Sequence, residues 1–322
     1  MERVVDLSVL PRRGEKNWSL GAAFAAMVVL LLIGPFVVYP VFLMKALCFS
    51  LFACAFNLLI GYVGLISFGH AMFFGWASYL TAYAVKGWGL PPEPAIIIGT
   101  ATAAALGIVA GYLAIRRQGI YFAMITLALA QMTYFFALEA KFTGGEDGIQ
   151  GVARGRLFGI FDLSREMTMY VFVLVVVIAG FLLIFRIINS PFGEVLKAIR
   201  ENEQRAVSLG YRTERYKLVA FVLSATLAGL AGSLNSLVFQ LASLTDVHWT
   251  MSGDVVLMTL LGGLGTVFGP VVGAFIVIAM QNYLAPFGQW VLVIQGAIFV
   301  ACVLAFRRGV VGEIARLLRV PL

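Results

Sequence analysis

Ten predominantly apolar runs, most of them near the ~20 residues that a helix needs to cross the hydrocarbon core of a bilayer, follow one another along this chain. They lie near 20–38, 43–62, 67–85, 95–115, 120–139, 168–188, 216–239, 253–268, 270–286 and 288–306. Such a series predicts an all-α, polytopic transmembrane helix bundle. Two neighbouring pairs are joined by very short glycine-rich passages, Gly61–Gly69 and Gly262–Gly273. These read either as turns between spans or as broken, re-entrant helices, giving eight to ten spans. Composition agrees: 61% of the 322 residues are hydrophobic, 12% are charged and the mean hydropathy is +0.96. Soluble domains run at about 45–50% apolar and about 25% charged, and a soluble chain would still need a polar exterior.

The basic residues set the expected orientation. With both termini cytoplasmic, the N-terminal tail (Arg3, Arg12, Arg13, Lys16), the Arg116–Arg117 turn, the 186–217 segment and the C-terminal tail hold 17 of the 23 lysines and arginines. Lys86, Lys141, Arg154, Arg156 and Arg165 then lie outside, and Lys45 near a helix end is placed to snorkel. This bias also accounts for the net charge of +7 without nucleic acid as a partner. The division expected is a tail at 1–19, a membrane domain at 20–306 and a tail at 307–322, with an external loop near 141–167 and a cytoplasmic one near 189–215. The first apolar run reads as a retained helix, not a cleaved leader. Cys48, Cys54 and Cys302 lie in apolar runs without metal-ligand spacing and read as buried hydrophobes.

The cytoplasmic loop carries the most informative pattern. From Asn189 to Gly210 it reads as one capped helix, with Ser190 as N-cap, Pro191 at the first helical position and Gly210 as the left-handed residue after the end. Phe192, Val195, Leu196, Ile199 and Ala206 recur on one face. That stripe could lie on the bilayer surface or in a groove on a soluble partner, and an ordinary structured loop is the remaining alternative. The mixed charges around it favour the partner.

Four passages carry a family resemblance. They are Asn57-Leu-Leu-Ile-Gly-Tyr-Val-Gly-Leu-Ile-Ser-Phe-Gly-His70, Thr143-Gly-Gly-Glu-Asp-Gly-Ile149, the 190–210 segment and Leu260-Leu-Gly-Gly-Leu-Gly-Thr-Val-Phe-Gly-Pro270. With the closing Arg307-Arg-Gly-Val-Val-Gly312, they resemble the branched-chain amino acid ABC permease family of the LivM kind, in the family's order. The resemblance implies an importer subunit without chemistry of its own, in a bacterial cytoplasmic (inner) membrane. Its partners would be a homologous second permease, two cytoplasmic ABC ATPases that use ATP and Mg, and a periplasmic solute-binding protein. By the same analogy the 190–210 helix couples to an ATPase through Glu194, Lys197, Ala198, Arg200, Glu201 and Asn202. The chain has no G-x-x-x-x-G-K-[ST] loop, and no cofactor is expected on it.

Gly61–Gly69 and Gly262–Gly269 form a weak internal echo, and glycine-interrupted helices in duplicated halves tend to flank the substrate path of a transporter. The residues expected there are Asn57, Gly64, Ser67, His70, Gly263 and Gly265. Intramembrane polar groups are costly; Gln131, Asn235, Gln240, Asp254 and Gln281 are the others. His70 is expected to be hydrogen bonded at a helix terminus, and Asp254 to sit near the external end of its helix. The solute expected is small and polar, a branched-chain or related amino acid. An ion-coupled secondary transporter or channel subunit is the alternative. It would require coupling acids deep in the spans and leaves the 190–210 helix unexplained.

Overall fold

The computed structural model describes residues 13–288, 290–305 and 309–318. Arg3, Arg12 and the closing Arg307 and Arg308 lie outside the described residues. Each of the ten apolar runs carries a helix: α1 (Arg13–Val37), α2 (Pro40–Tyr62), α3 (His70–Lys86), α4 (Pro92–Ala114), α5 (Ile120–Glu139), α6 (Glu166–Ile188), α9 (Thr213–Phe239), α10 (Trp249–Gly262), α11 (Gly269–Leu284) and α12 (Trp290–Ala305). Two short helices, α7 (Pro191–Glu201) and α8 (Glu203–Ser208), lie between α6 and α9, and α13 (Gly309–Leu318) follows α12.

Among the described residues six helices are long and apolar enough to cross a membrane: α2, α4, α5, α6, α9, and α11 with the 3-10 turn that continues it to Phe287. α1 and α12 contain shorter apolar stretches, Gly21–Val37 and Val293–Cys302. α3 and α10 have only 17 and 14 residues, or roughly 25 and 21 Å at 1.5 Å per residue against a core of about 30 Å. Both adjoin a glycine loop. α10 stops six residues before the end of the expected 253–268 run because Gly263 and Gly265 take φ of +124° and +73°, values outside helical space.

α2 is the hub, and nearly all of its residues are buried. It packs against α6 and α9 on one side and α10 and α11 on another, while α3, α4 and α9 form a second tight group. Small residues let these backbones approach closely. A Cβ on Gly232 of α9 would stand 1.9 Å from the Phe74 carbonyl of α3, and one on Gly273 of α11 would stand 1.8 Å from the Met258 carbonyl of α10. Hydrogen bonds reinforce the hub, as where the Ser224 hydroxyl of α9 donates to the Ala55 carbonyl of α2 at 2.5 Å.

The connecting loops gather at two ends. At one end, the α5–α6 loop pairs with the α9–α10 linker: β1 (Ile149–Gln150) runs antiparallel to β4 (Leu241–Ala242). Lys86 donates to the Gln150 carbonyl at 2.7 Å, and Arg154 donates to the Leu237 and Val238 carbonyls at the end of α9. These basic residues serve local caps. At the other end lie the 63–69, 115–119, 189–212 and 263–268 segments. The Arg116–Arg117 turn and the basic 189–212 segment thus share an end, joined by the bond from Gln118 to Glu203.

Candidate functional site at the glycine-loop junction

α7 starts as expected. Ser190 accepts from the Gly193 N–H at 3.4 Å and Pro191 opens the helix. Gly210, at φ +90°, follows α8 in the left-handed region. The single 190–210 helix is nonetheless broken. Asn202 is extended (φ −157°, ψ 100°); its N–H closes α7 on the Ala198 carbonyl at 3.1 Å, and its side chain accepts from the Arg205 N–H at 3.0 Å to open α8. Asparagine competes with helix continuation in this way because its amide mimics a backbone acceptor.

The fate of the apolar stripe also differs from the expectation. Leu196, Ile199 and Ala206 are buried, and Phe192 and Val195 half-buried, because α7 packs on α6, α9 and α2. Phe192 stacks on Tyr216 at 5.7 Å. The stripe is covered by the chain's own helices, with no need of lipid or a partner groove. The surface left open is polar: Glu194, Ala198, Arg200, Glu201 and Asn202 are exposed, and Lys197 pairs with Glu194 at 2.8 Å. Beneath it, Gly193 lies so close to α6 that a Cβ would stand 2.2 Å from the Ile188 carbonyl.

Arg200 leaves this surface and reaches the bundle. Its guanidinium donates to the Gly61 carbonyl at the end of α2. A Cβ at Gly64 would stand 3.2 Å from the Arg200 Cγ, and one at Gly265 would stand 3.3 Å from a guanidinium nitrogen. The two glycine loops therefore flank one arginine. Gly64, at φ +81°, supplies both the left-handed turn and the room. Asn57 joins the loops from inside α2: its amide donates to the Thr266 carbonyl at 2.9 Å and its oxygen accepts from the Gly265 N–H at 3.0 Å. The Tyr62 hydroxyl donates to the Gly265 carbonyl at 2.9 Å. The Thr266 hydroxyl donates to the Gly263 carbonyl and accepts from Gly269 N–H, closing the loop on itself. Gly309, opening α13, packs on Gly262 and Gly263.

Of the expected path residues, Gly64 and Gly265 thus meet at Arg200, Asn57 is bonded to Gly265, and Gly263 adjoins them. Ser67 and His70 do not. Both are fully buried. Ser67 accepts from the Gly69 N–H at 3.2 Å. His70 opens α3, with Nε2 at 2.9 Å from Ser224 Oγ and with Phe56, Phe73 and Phe221 packed edge-on around it. It is a core histidine at a helix terminus. Asp254 is the sixth residue of α10 and accepts from Gln281 of α11 at 3.2 Å.

Tyr62, Thr266 and the Glu203–Lys217 pair escaped the sequence reading. Tyr62 and Thr266 stand inside the glycine passages 57–70 and 260–270, but their roles depend on contacts about 200 residues away in sequence. Glu203 opens α8, pairs with the buried Lys217 of α9 at 2.5 Å and accepts from Gln118 in the α4–α5 turn at 2.8 Å. The described residues contain no group of three or more metal-ligating side chains.

The family model described as "Branched-chain amino acid transport system / permease component" matches residues 38–303. Among curated proteins, the chain is 27% identical over 267 residues to the high-affinity branched-chain amino acid transport system permease protein LivM of Escherichia coli, covering 76% of this chain and 63% of that protein. It thus spans less than two thirds of that relative's length. It is 28% identical to the ribose import permease protein RbsC of Bacillus subtilis (56% of this chain, 58% of that one). It is 27% identical to the autoinducer 2 import system permease protein LsrC of Salmonella choleraesuis (56% and 52%). No solved structure matches. Asn57, Gly61, Tyr62, Gly64, Arg200, Gly265 and Thr266 all fall within the matched span, and the chain belongs to the branched-chain amino acid transport system permease family.

Proposed function

We propose that the chain is a membrane-spanning subunit of an ABC importer for a small polar solute, a branched-chain or related amino acid in first place. It would work with a second permease of the same family, two ATPases that supply ATP and Mg chemistry, and an external solute-binding protein, in a bacterial inner membrane with both termini cytoplasmic. The names of the LivM, RbsC and LsrC relatives support the importer class, and LivM, matched over the longest stretch of the three, supports the amino acid.

The observation that carries the reading is the contact of Arg200 with Gly61, Gly64 and Gly265 directly behind an exposed polar helix face. A push on Glu194, Ala198 and Glu201 cannot be absorbed by sliding α7 over α6, because the Gly193 contact leaves no slack. Arg200 instead passes the displacement to the end of α2 and to the α10–α11 loop. Two glycine loops are where a bundle bends, so the motion expected is a change in the tilt of the short helices α3 and α10.

The test is reconstitution with the cognate ATPases and binding protein. A Glu201→Cys variant should crosslink to an ATPase cysteine, and leucine uptake should require ATP and the binding protein. Uptake driven by an ion gradient without ATP would overturn the reading in favour of secondary transport.

A further inference from the structure

The α5–α6 loop ends in a hairpin, β2 (Arg156–Leu157) paired antiparallel with β3 (Phe161–Asp162). Its tip is apolar and open: Phe158, Ile160 and Phe161 are 75%, 78% and 56% exposed. Phe158 also holds φ +50°, a left-handed conformation that disfavours every residue with a side chain of this kind. A large ring held outward from such a backbone points to something outside the chain that takes it up.

Three hydrogen bonds hold the hairpin in this shape. Ile160 N–H donates to the Leu157 carbonyl at 3.0 Å and Leu163 N–H to the Gly155 carbonyl at 3.2 Å. Phe158 N–H donates to the Glu93 carboxylate in the first turn of α4.

The hairpin does not stand away from the bundle. Leu157, Phe161 and Leu163 form one wall of an open apolar groove whose other wall is Met167, Val171 and Val175 of α6. Val175 lies nine residues beyond Glu166, roughly 14 Å along the helix axis, so the groove descends over the outer part of a helix that spans the membrane. Val171 and Val175 are exposed and continuous with the exposed Leu182 and Leu183 further along α6. At the base, Arg156 and Arg165 are exposed. Both lie in the field of Asp162, whose carboxylate accepts from the Ser164 N–H at 2.9 Å, and Glu166 is adjacent. Guanidinium groups at this level suit a phosphate.

We propose that the β2–β3 hairpin is a lipid-inserted wedge: its Phe158–Phe161 tip lies in the leaflet at this end of the bundle, one phospholipid acyl chain fills the α6 groove beneath it, and Arg156 with Arg165 hold that lipid's phosphate. The wedge would fix the depth of α4 and α6 in the bilayer, since Glu93 ties it to one and the groove to the other.

The experiment places a nitroxide on an Ile160→Cys variant of the full chain, with any subunits that co-purify, in phosphatidylglycerol and phosphatidylethanolamine vesicles. Cys302→Ser is added; Cys48 and Cys54 are buried. Collisions with oxygen are expected to exceed those with a water-soluble nickel chelate at position 160, the reverse of a Lys141→Cys label in the same loop. Dominant nickel collisions would place the tip in water, and low collisions with both would place it against protein; either overturns the proposal. The headgroup contact is read by mass spectrometry of the released protein. An Arg156→Ala, Arg165→Ala double variant should lose one retained phospholipid, and unchanged retention overturns the assignment of the phosphate.

Discussion

Arg200 of α7 and Gly61 of α2 stand 139 residues apart in sequence and are joined by a charge-assisted hydrogen bond from guanidinium to carbonyl. Gly61 is one residue from the end of α2, where carbonyls lack intrahelical partners and carry the negative end of the helix dipole. The arginine therefore caps the hub helix from a neighbouring surface helix. Arg200→Ala should leave expression and ATP hydrolysis in place while ATP-driven uptake falls by about tenfold or more, a loss of ~1.4 kcal/mol or more in coupling. Arg200→Lys should not rescue it, because a flexible point-charge ammonium does not reproduce the rigid planar donor placed between Gly61 and Gly265. Normal uptake in both variants would remove Arg200 from the transmission route.

Gly193 makes a sharper steric prediction. Even alanine brings a Cβ to 2.2 Å from the Ile188 carbonyl and 2.7 Å from that of Ile187, and backbone atoms cannot rotate away. Gly193→Ala should lower thermal stability by ~1–3 kcal/mol, the usual range for overpacking, or shift α7 off its seat. Ala198→Ser, on the exposed face of the same helix, serves as the control and should stay within ~0.5 kcal/mol of wild type. Equal melting temperatures for the two variants would show that α7 is not held where the structure places it.

Asn57 satisfies one donor and one acceptor on the second glycine loop and is 3% exposed. Asn57→Leu preserves size but strands the Gly265 N–H and the Thr266 carbonyl, at ~1–3 kcal/mol for each buried group left unsatisfied. Asn57→Asp keeps the acceptor yet loses the donor and introduces a charge, so it should be at least as damaging. The measurement is thermal unfolding together with protease access to the 263–268 loop. Wild-type resistance in Asn57→Leu would show that the two loops hold together without this bridge.

The spans were legible because apolar run length reports directly on the solvent, and Ser190, Pro191 and Gly210 were legible because capping is local chemistry. The break at Asn202 was not, since an asparagine amid charged residues is equally compatible with a continuous helix until its side chain is seen bonding Arg205 N–H. The destination of the Leu196 and Ile199 stripe was not legible either. Periodicity shows that a face is apolar but not what covers it. The meeting of Asn57, Gly64, Gly265 and Arg200 is a tertiary fact, and local sequence carried only a hint of it, in the glycine echo. That same echo drew Ser67 and His70 into the expected path, although both are buried, His70 against Ser224 and Phe221 of α9 and Ser67 bonded to the Gly69 N–H.

Glu203 and Lys217 test whether the short helix α8 is a structural brace. Lys217 is 4% exposed and Glu203 23%, so removing the carboxylate leaves a buried ammonium, while removing both charges leaves little to regret. Glu203→Gln should cost ~2–3 kcal/mol, below the range of fully buried pairs because Glu203 is partly solvated. Adding Lys217→Met should recover most of that loss, with a coupling energy measurable in a double-mutant cycle. Independent, additive losses would mean that the pair does not brace α8 against α9.

Asp246, in the linker between α9 and α10, predicts a pH dependence. Burial raises its pKa from 3.8 to about 6, against the opposing pull of the Ser243 hydrogen bonds and the Lys45 charge. The folded state therefore holds a proton that the unfolded chain releases more readily. This contribution to stability is fully present below pH 3.8, declines as pH rises through about 6, and is lost above it. A shift of this size corresponds to roughly 3 kcal/mol at most. Asp246→Asn keeps a side-chain acceptor for the Ser243 N–H but does not ionise. Its melting temperature should match wild type near pH 4, exceed it at pH 7 and be flatter in between. The readout is the difference between the two proteins across pH, which cancels the other titrating groups. If wild type instead gains stability relative to Asp246→Asn as pH rises from 4 to 7, the ionised carboxylate is the stabilising form, and its interaction with Lys45 outweighs its burial.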